Sequence, residues 1–176
     1  LGVNYDNCHL AVEFEEPADA IRNFQQHQVR ISKLHLSSAL KVVPTPETCE
    51  ALKQFVEDVY FHQVIAKEPS GKLVFYRDLP NALARRAPNP AEEWRIHFHV
   101  PLHSPASKHF GNTTDHLIGA LDILAANPQL CSHLEMETYT WEVMPDTLKN
   151  RSVVDQLTGE YEWCLAQLGQ RGLAPK

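Results

Sequence analysis

Gly2-Val3-Asn4-Tyr5-Asp6-Asn7-Cys8-His9 opens the chain, and Val29-Arg30-Ile31-Ser32-Lys33-Leu34-His35-Leu36-Ser37 follows after a helix-length interval. Both runs have the β-branched and aromatic content of strands. Between them, Pro17 to Gln28 places Ala18, Ile21 and Phe24 on one helical stripe, with Pro17 suited to the first turn. Strand, helix, strand is the pattern of a βαβ unit, and it sets the expectation of a mostly parallel sheet.

The pattern continues outward. A loop containing Pro44 and Pro46 leads to a helix expected from about Pro46 to Phe55, with Thr45 as its cap and Glu47 in its first turn. Val59 to Ala66 reads as a strand. The turn signal Glu68-Pro69-Ser70-Gly71 and the run Lys72 to Tyr76 make it a hairpin, an insert over about residues 59–78. A short helix is expected over Pro80 to Arg86, then the loop Ala87-Pro88-Asn89-Pro90, then a strand from Trp94 to Leu102. A helix from Thr114 to Ala126 carries Leu117, Ala120, Leu121 and Leu124 on one face. A strand from His133 to Trp141 and a helix from Val153 to Leu168 close the chain, with Gly169 as its stop. The 176 residues are one domain's length, but five main strands fall short of a closed eight-stranded barrel. With Leu1 as first residue, a fragment or a processed chain is expected.

The strand faces carry the chemistry. Side chains alternate between faces along a strand. Asn4 therefore shares a face with Asp6, Lys33 with His35 and Ser37, and His97 with His99. Glu135, Glu137 and Tyr139 likewise fall on one face, opposite Leu134 and Met136. A parallel sheet covered on both sides has nearly all-apolar strands. Here one face is apolar and the other ionisable, so the apolar side is expected to meet helices and the ionisable side to point into a shared cavity. An antiparallel sheet with one wet face gives the same alternation. The histidine and acid content, metal-ligand types, favours the cavity.

Composition narrows the function. Net charge is −6, and the one basic pair, Arg85-Arg86, has no interleaved aromatics, so no nucleic-acid partner is expected. No apolar run approaches the roughly 18 residues of a membrane span, and no leader is visible. Cys8, Cys49, Cys131 and Cys164 form no CxxC pair, which suits reduced cysteines and a cytoplasmic location. Ten histidines, nine of them before Leu117, are an excess that asks for an account.

Three motifs supply candidates. Asp6 and His9, three residues apart at a strand end, can reach one cation. Glu135-Met136-Glu137 places two acids on one face, costly to bury unless paired or metal-bound. His97-Phe98-His99 offers two imidazoles on one face. His35 and His62 are single strand histidines, of which His35 gains from its company. The remaining histidines and Cys8 form a background.

Asp6-Asn7-Cys8-His9, Lys33-Leu34-His35-Leu36-Ser37 and Leu134-Glu135-Met136-Glu137-Thr138 together resemble the xylose-isomerase-like superfamily of sugar isomerases, epimerases and endonuclease IV-type enzymes. Longer runs are similar to the metabolite traffic protein EboE family. They are Cys8 to Phe14, Leu36 to Leu40, Phe61 to Val64, Trp94 to Leu102 and Glu137 to Trp141. The likeness spans about Gly2 to Trp163 and corresponds to the C-terminal half of such a protein. It implies an α/β fold, a TIM (β/α)8 barrel of xylose isomerase-like type present as a C-terminal partial barrel. It also implies a bacterial cytoplasmic protein that handles or exports a small metabolite with other proteins of its pathway. Asp6, His9, His35 and Glu137 are the implied ligands of a divalent metal (zinc, manganese or magnesium). The superfamily's upstream ligands are absent, and the long insert brings its own His62, His97 and His99.

The resulting expectation is a metal-dependent isomerase or epimerase for a sugar-like metabolite, with Glu137, His97 and His99 in catalytic roles. The alternatives are a non-catalytic metabolite carrier and an endonuclease IV-like phosphodiesterase, the latter disfavoured by the acidic charge. Open sheet edges also lead one to expect a homo-oligomer.

Overall fold

The opening βαβ unit forms close to where its periodicity places it in the computed structural model, which describes residues 1–85, 87–137, 139–146, 149 and 151–173. Strand β1 (Val3–Asp6) runs directly into a short helix, α1 (Asn7–Val12). Helix α2 (Pro17–Gln26) and strand β2 (Ile31–Leu36) follow. The chain then forms β3 (Ala39–Val42), α3 (Pro46–Leu52), β4 (Val64–Lys67), β5 (Leu73–Tyr76), α4 (Leu79–Arg85), β6 (Glu93–His99) and β7 (Gly111–Asn112). It ends with α5 (Thr114–Ala126), β8 (Leu134–Met136) and α6 (Val153–Gln170).

These strands do not form a TIM barrel, whole or partial, which corrects the expected fold. Among the described residues only β1, β2 and β8 pair in parallel, in the order β1-β2-β8. The other five make an antiparallel sheet in the order β5-β4-β6-β3-β7, and neither sheet closes. The reason lies at Ser37-Ser38. These two residues alone join β2 to β3, and a parallel crossover needs a dozen or more. The chain instead turns a corner into a second sheet. Ser38 holds that corner: its carbonyl accepts from Val100 N at 3.0 Å and its hydroxyl from Thr113 N at 3.1 Å. Thr113 returns a bond through Oγ1, which accepts from Ala39 N at 2.8 Å.

Each sheet has its own core. Tyr5, Leu34 and Leu36 pack with Ile21, Leu117, Leu121 and Cys164, which places α2, α5 and α6 on the apolar face of the parallel sheet. Leu40, Val64, Trp94, Ile96 and Phe98 pack with Leu52, Phe55 and Leu79, so α3 and α4 cover one face of the antiparallel sheet. Burying side chains of this size contributes roughly 1.5–3 kcal/mol each. A smaller group, Cys8, Val12, Ala39 and Ile65, ties α1 to the other face.

Several expected elements shift. The hairpin of β4 and β5 is present and antiparallel. Its first strand starts at Val64 rather than Val59, because the Glu57 carboxylate accepts from the amides of Val59 and Tyr60 and bends the chain. Strand β8 is short because a 3-10 turn begins at Tyr139, and Thr138 lies outside the described residues, as does Arg86 of the basic pair. Helix α6 passes through Gly169 and ends before Gly172, whose φ of +69° lies in the left-handed region that glycine tolerates. Among the described residues no helix is long and apolar enough to cross a membrane.

Thr45 caps α3 as its position suggests, with Oγ1 accepting from Thr48 N at 3.1 Å. Thr45→Ala is expected to lower stability by about 1 kcal/mol, measured as a drop in the urea midpoint with an unchanged slope.

Candidate metal centre

Asp6 does two jobs at one point. It is the last residue of β1 and the N-cap of α1, with Oδ1 accepting from Cys8 N at 2.9 Å and His9 N at 3.3 Å. The same oxygen accepts from Ser37 Oγ at 2.8 Å. Oδ2 is thereby turned outward over the strand ends, where it meets His9 Nδ1 at 2.9 Å and His35 Nδ1 at 3.5 Å.

The parallel register supplies the rest. Asp6 pairs with His35, and His35 with Glu135, so three ionisable side chains form a row across the sheet. His35 Nε2 lies 3.3 Å from Glu135 Oε1, and His35 Nδ1 lies 3.4 Å from Glu137 Oε2. Asn4, on the same face, donates its amide to His35 Nδ1 at 3.1 Å. With Nδ1 as the acceptor, the ring proton lies on Nε2, toward Glu135, and a cation on Nδ1 would take the lone pair that Asn4 now occupies. Asp6, His35 and Glu137 each bring one donor atom into a space where all three lie within 4.8 Å. Metal–ligand bonds of about 2.0–2.2 Å set donors roughly 3–3.6 Å apart, which matches the separations at His35.

Charge is unbalanced here. Lys33 Nζ reaches Glu135 Oε1 at 3.2 Å, yet among the described residues no lysine or arginine is in ion-pair range of Asp6 or Glu137. Burial would raise the Asp6 carboxyl, but hydrogen bonds from His9 and Ser37 and the nearby imidazoles hold it well below the usual carboxylate range. The hydrogen bond to Asp6 raises His9. Hydrogen bonds from His133, Lys33 and His35 pull Glu135 down to about 2.

The second histidine pair comes from the other sheet. Arg95, His97 and His99 line one face of β6, opposite Trp94, Ile96 and Phe98, and α1 lies across that face. Arg95 Nη1 donates to Ala11 O at 2.7 Å, and its guanidinium sits 4.0 Å over the Phe14 ring. This strand is antiparallel, but its ionisable face is not wet: His99 is only 3% exposed. Cys8, His97 and His99 place their donor atoms within 4.8 Å of one another. His99 Nδ1 stands 4.0 Å from Glu137 Oε2, so the two groups adjoin. Burial, with the neighbouring imidazoles, lowers His97 to about 3 and His99 to about 4. Burial and the charges of Asp6 and Glu137 push the Cys8 thiol up.

Of the residues singled out from sequence, Asp6, His35 and Glu137 converge. His9 reaches Asp6 but sits at the rim, its side chain 57% exposed and its ring 4.0 Å from that of His97. His97 and His99 group with Cys8. His62 lies elsewhere, held between the His97 carbonyl at 3.0 Å and Glu57 Oε1 at 2.8 Å. Cys8 is what sequence reasoning set aside. Its signal was its place between Asp6 and His9, but its direction depends on α1, a helix too short for periodicity to reveal.

No protein-family model, curated protein or solved structure matches the chain.

Proposed function

We propose that this protein binds a divalent cation through Asp6, His35 and Glu137 and uses it to act on a small, hydroxyl-rich, sugar-like metabolite. What supports this most is the convergence of two carboxylate oxygens and one imidazole nitrogen at the C-terminal ends of three parallel strands. A mostly oxygen donor set with one imidazole suits manganese, magnesium or zinc. A cation there supplies Lewis acidity toward a hydroxyl or carbonyl oxygen. The protein's own groups do the rest. Glu135 fixes the His35 ring through Nε2, the partner a metal-binding histidine ordinarily needs. His9, exposed at the rim and raised by Asp6, is placed to hand a proton to substrate or take one up. Isomerisation or epimerisation next to a carbonyl fits such a proton donor beside a cation. The resemblance to the metabolite traffic protein EboE family belongs to this proposal, with other proteins of that pathway as partners.

The test is metal-dependent deuterium uptake from solvent. The EDTA-treated protein, with manganese restored, is incubated with a panel of aldoses, ketoses and their phosphates in heavy water. Uptake at carbon next to the carbonyl, abolished by His35→Ala, is expected. Saturable sugar binding without uptake would replace catalysis by carriage, and neither binding nor uptake would overturn the proposal.

A further inference from the structure

We infer that Cys8, His97 and His99 form a second, zinc-class metal site beside the first. None of these three donors belongs to the set of Asp6, His35 and Glu137, so the inference stands whether or not that set binds metal. The donors come from elements far apart in sequence, α1 and β6, and their ligand atoms lie within 4.8 Å of one another. One thiol with two imidazoles is a soft-to-borderline set, the kind that selects zinc over magnesium or calcium.

The placement of Cys8 is fixed at both ends of its helix. Cys8 N donates to Asp6 Oδ1 and to Ser37 Oγ, both at 2.9 Å, which holds the start of α1. Arg95 holds its end through Ala11 O. The thiol is therefore pressed onto β6 with no exposure at all. His97 and His99, two residues apart on one strand face, stand with ring centroids 5.5 Å apart and nearly perpendicular. That orientation lets two rings approach one tetrahedral ion from different sides.

Glu137 stands between the two groups, 3.4 Å from His35 Nδ1 and 4.0 Å from His99 Nδ1. Its carboxylate would be within reach of a cation on either group, but the Cys8, His97 and His99 donors do not depend on it. Binding breaks the Cys8 S–H bond as the S–Zn bond forms, and the proton leaves to solvent.

Cobalt(II) titration of the metal-free protein tests this, because a thiolate ligand gives a sulfur-to-cobalt charge-transfer band in the near ultraviolet. The band is expected in the wild type, displaced by stoichiometric zinc. It is expected to persist in His35→Gln, which tests the first set separately, and to vanish in Cys8→Ser and in His97→Gln. Circular dichroism checks that each variant is folded. A folded wild type without the band, or a band that survives Cys8→Ser, would overturn the inference and leave Cys8 as a buried apolar side chain.

Discussion

Asp6→Ala is expected to abolish divalent-cation binding at the parallel-strand ends and to lower the stability of the metal-free protein by about 2–3 kcal/mol. The second figure sums two losses. Removing an N-cap carboxylate costs roughly 1–2 kcal/mol, and Asp6 Oδ1 is the cap of α1. The Ser37 hydroxyl loses its 2.8 Å acceptor and, as a donor, is left with a 3.5 Å contact to His35 O, a loss of about 1 kcal/mol. Asp6→Asn separates the two roles. Asparagine caps as well as aspartate, so stability is expected to stay close to wild type while the cation is lost with the charge. Urea denaturation and metal analysis of both variants check this. An Asp6→Asn protein that still binds the cation would show that Asp6 is a cap and nothing more.

The metal-free protein is expected to lose stability steadily as pH falls from about 6.5 to 4. Burial lowers His97 to about 3, His99 to about 4 and His116 to about 4, against roughly 6.5 in the unfolded chain. The native state holds these rings neutral while the unfolded chain takes up protons. Their contribution is therefore complete above about pH 6.5 and is lost as pH falls toward their native values, at up to roughly 1.4 kcal/mol per pH unit for each ring. Together they remove several kcal/mol by pH 4, a large share of the roughly 5–15 kcal/mol that holds a domain folded. His116 gives a clean control, since it lies in the core of the parallel sheet with Nε2 3.1 Å from Tyr5 Oη. His116→Gln keeps a polar partner for that hydroxyl and removes one titrating ring. Its stability is expected to fall less steeply between pH 6.5 and 4. A wild-type urea midpoint that is flat over this range would contradict the account.

The site was more legible in the sequence than the fold. Period-two alternation put Asn4 with Asp6, and His97 with His99, on common faces, and placed His35 opposite its leucines. All of this depends only on local strand geometry, which the residues carry themselves. Strand partners are a different matter. The alternation of β6 is the same whether its neighbours run parallel or antiparallel, and β3 is four residues long, squeezed between Ser38 and Pro44. Whether Leu36 leads to a helix or to a corner turns on Ser38 finding Thr113 and Val100, residues more than sixty positions away. The helix expected from Pro46 was part of a strand–helix alternation read as a parallel sheet, yet α3 covers the face of an antiparallel one. Cys8 was left in the background for a related reason: Asp6 starts a helix there, and a six-residue helix leaves no repeat to detect.

The most direct test of the account is calorimetric titration of the EDTA-treated protein with manganese, wild type against His35→Ala. Saturable, stoichiometric binding by the wild type, lost in a His35→Ala protein with unchanged circular dichroism, is the expected result. A folded wild type that takes up no cation, or a His35→Ala protein that binds it equally well, would contradict the assignment of Asp6, His35 and Glu137 as a metal centre.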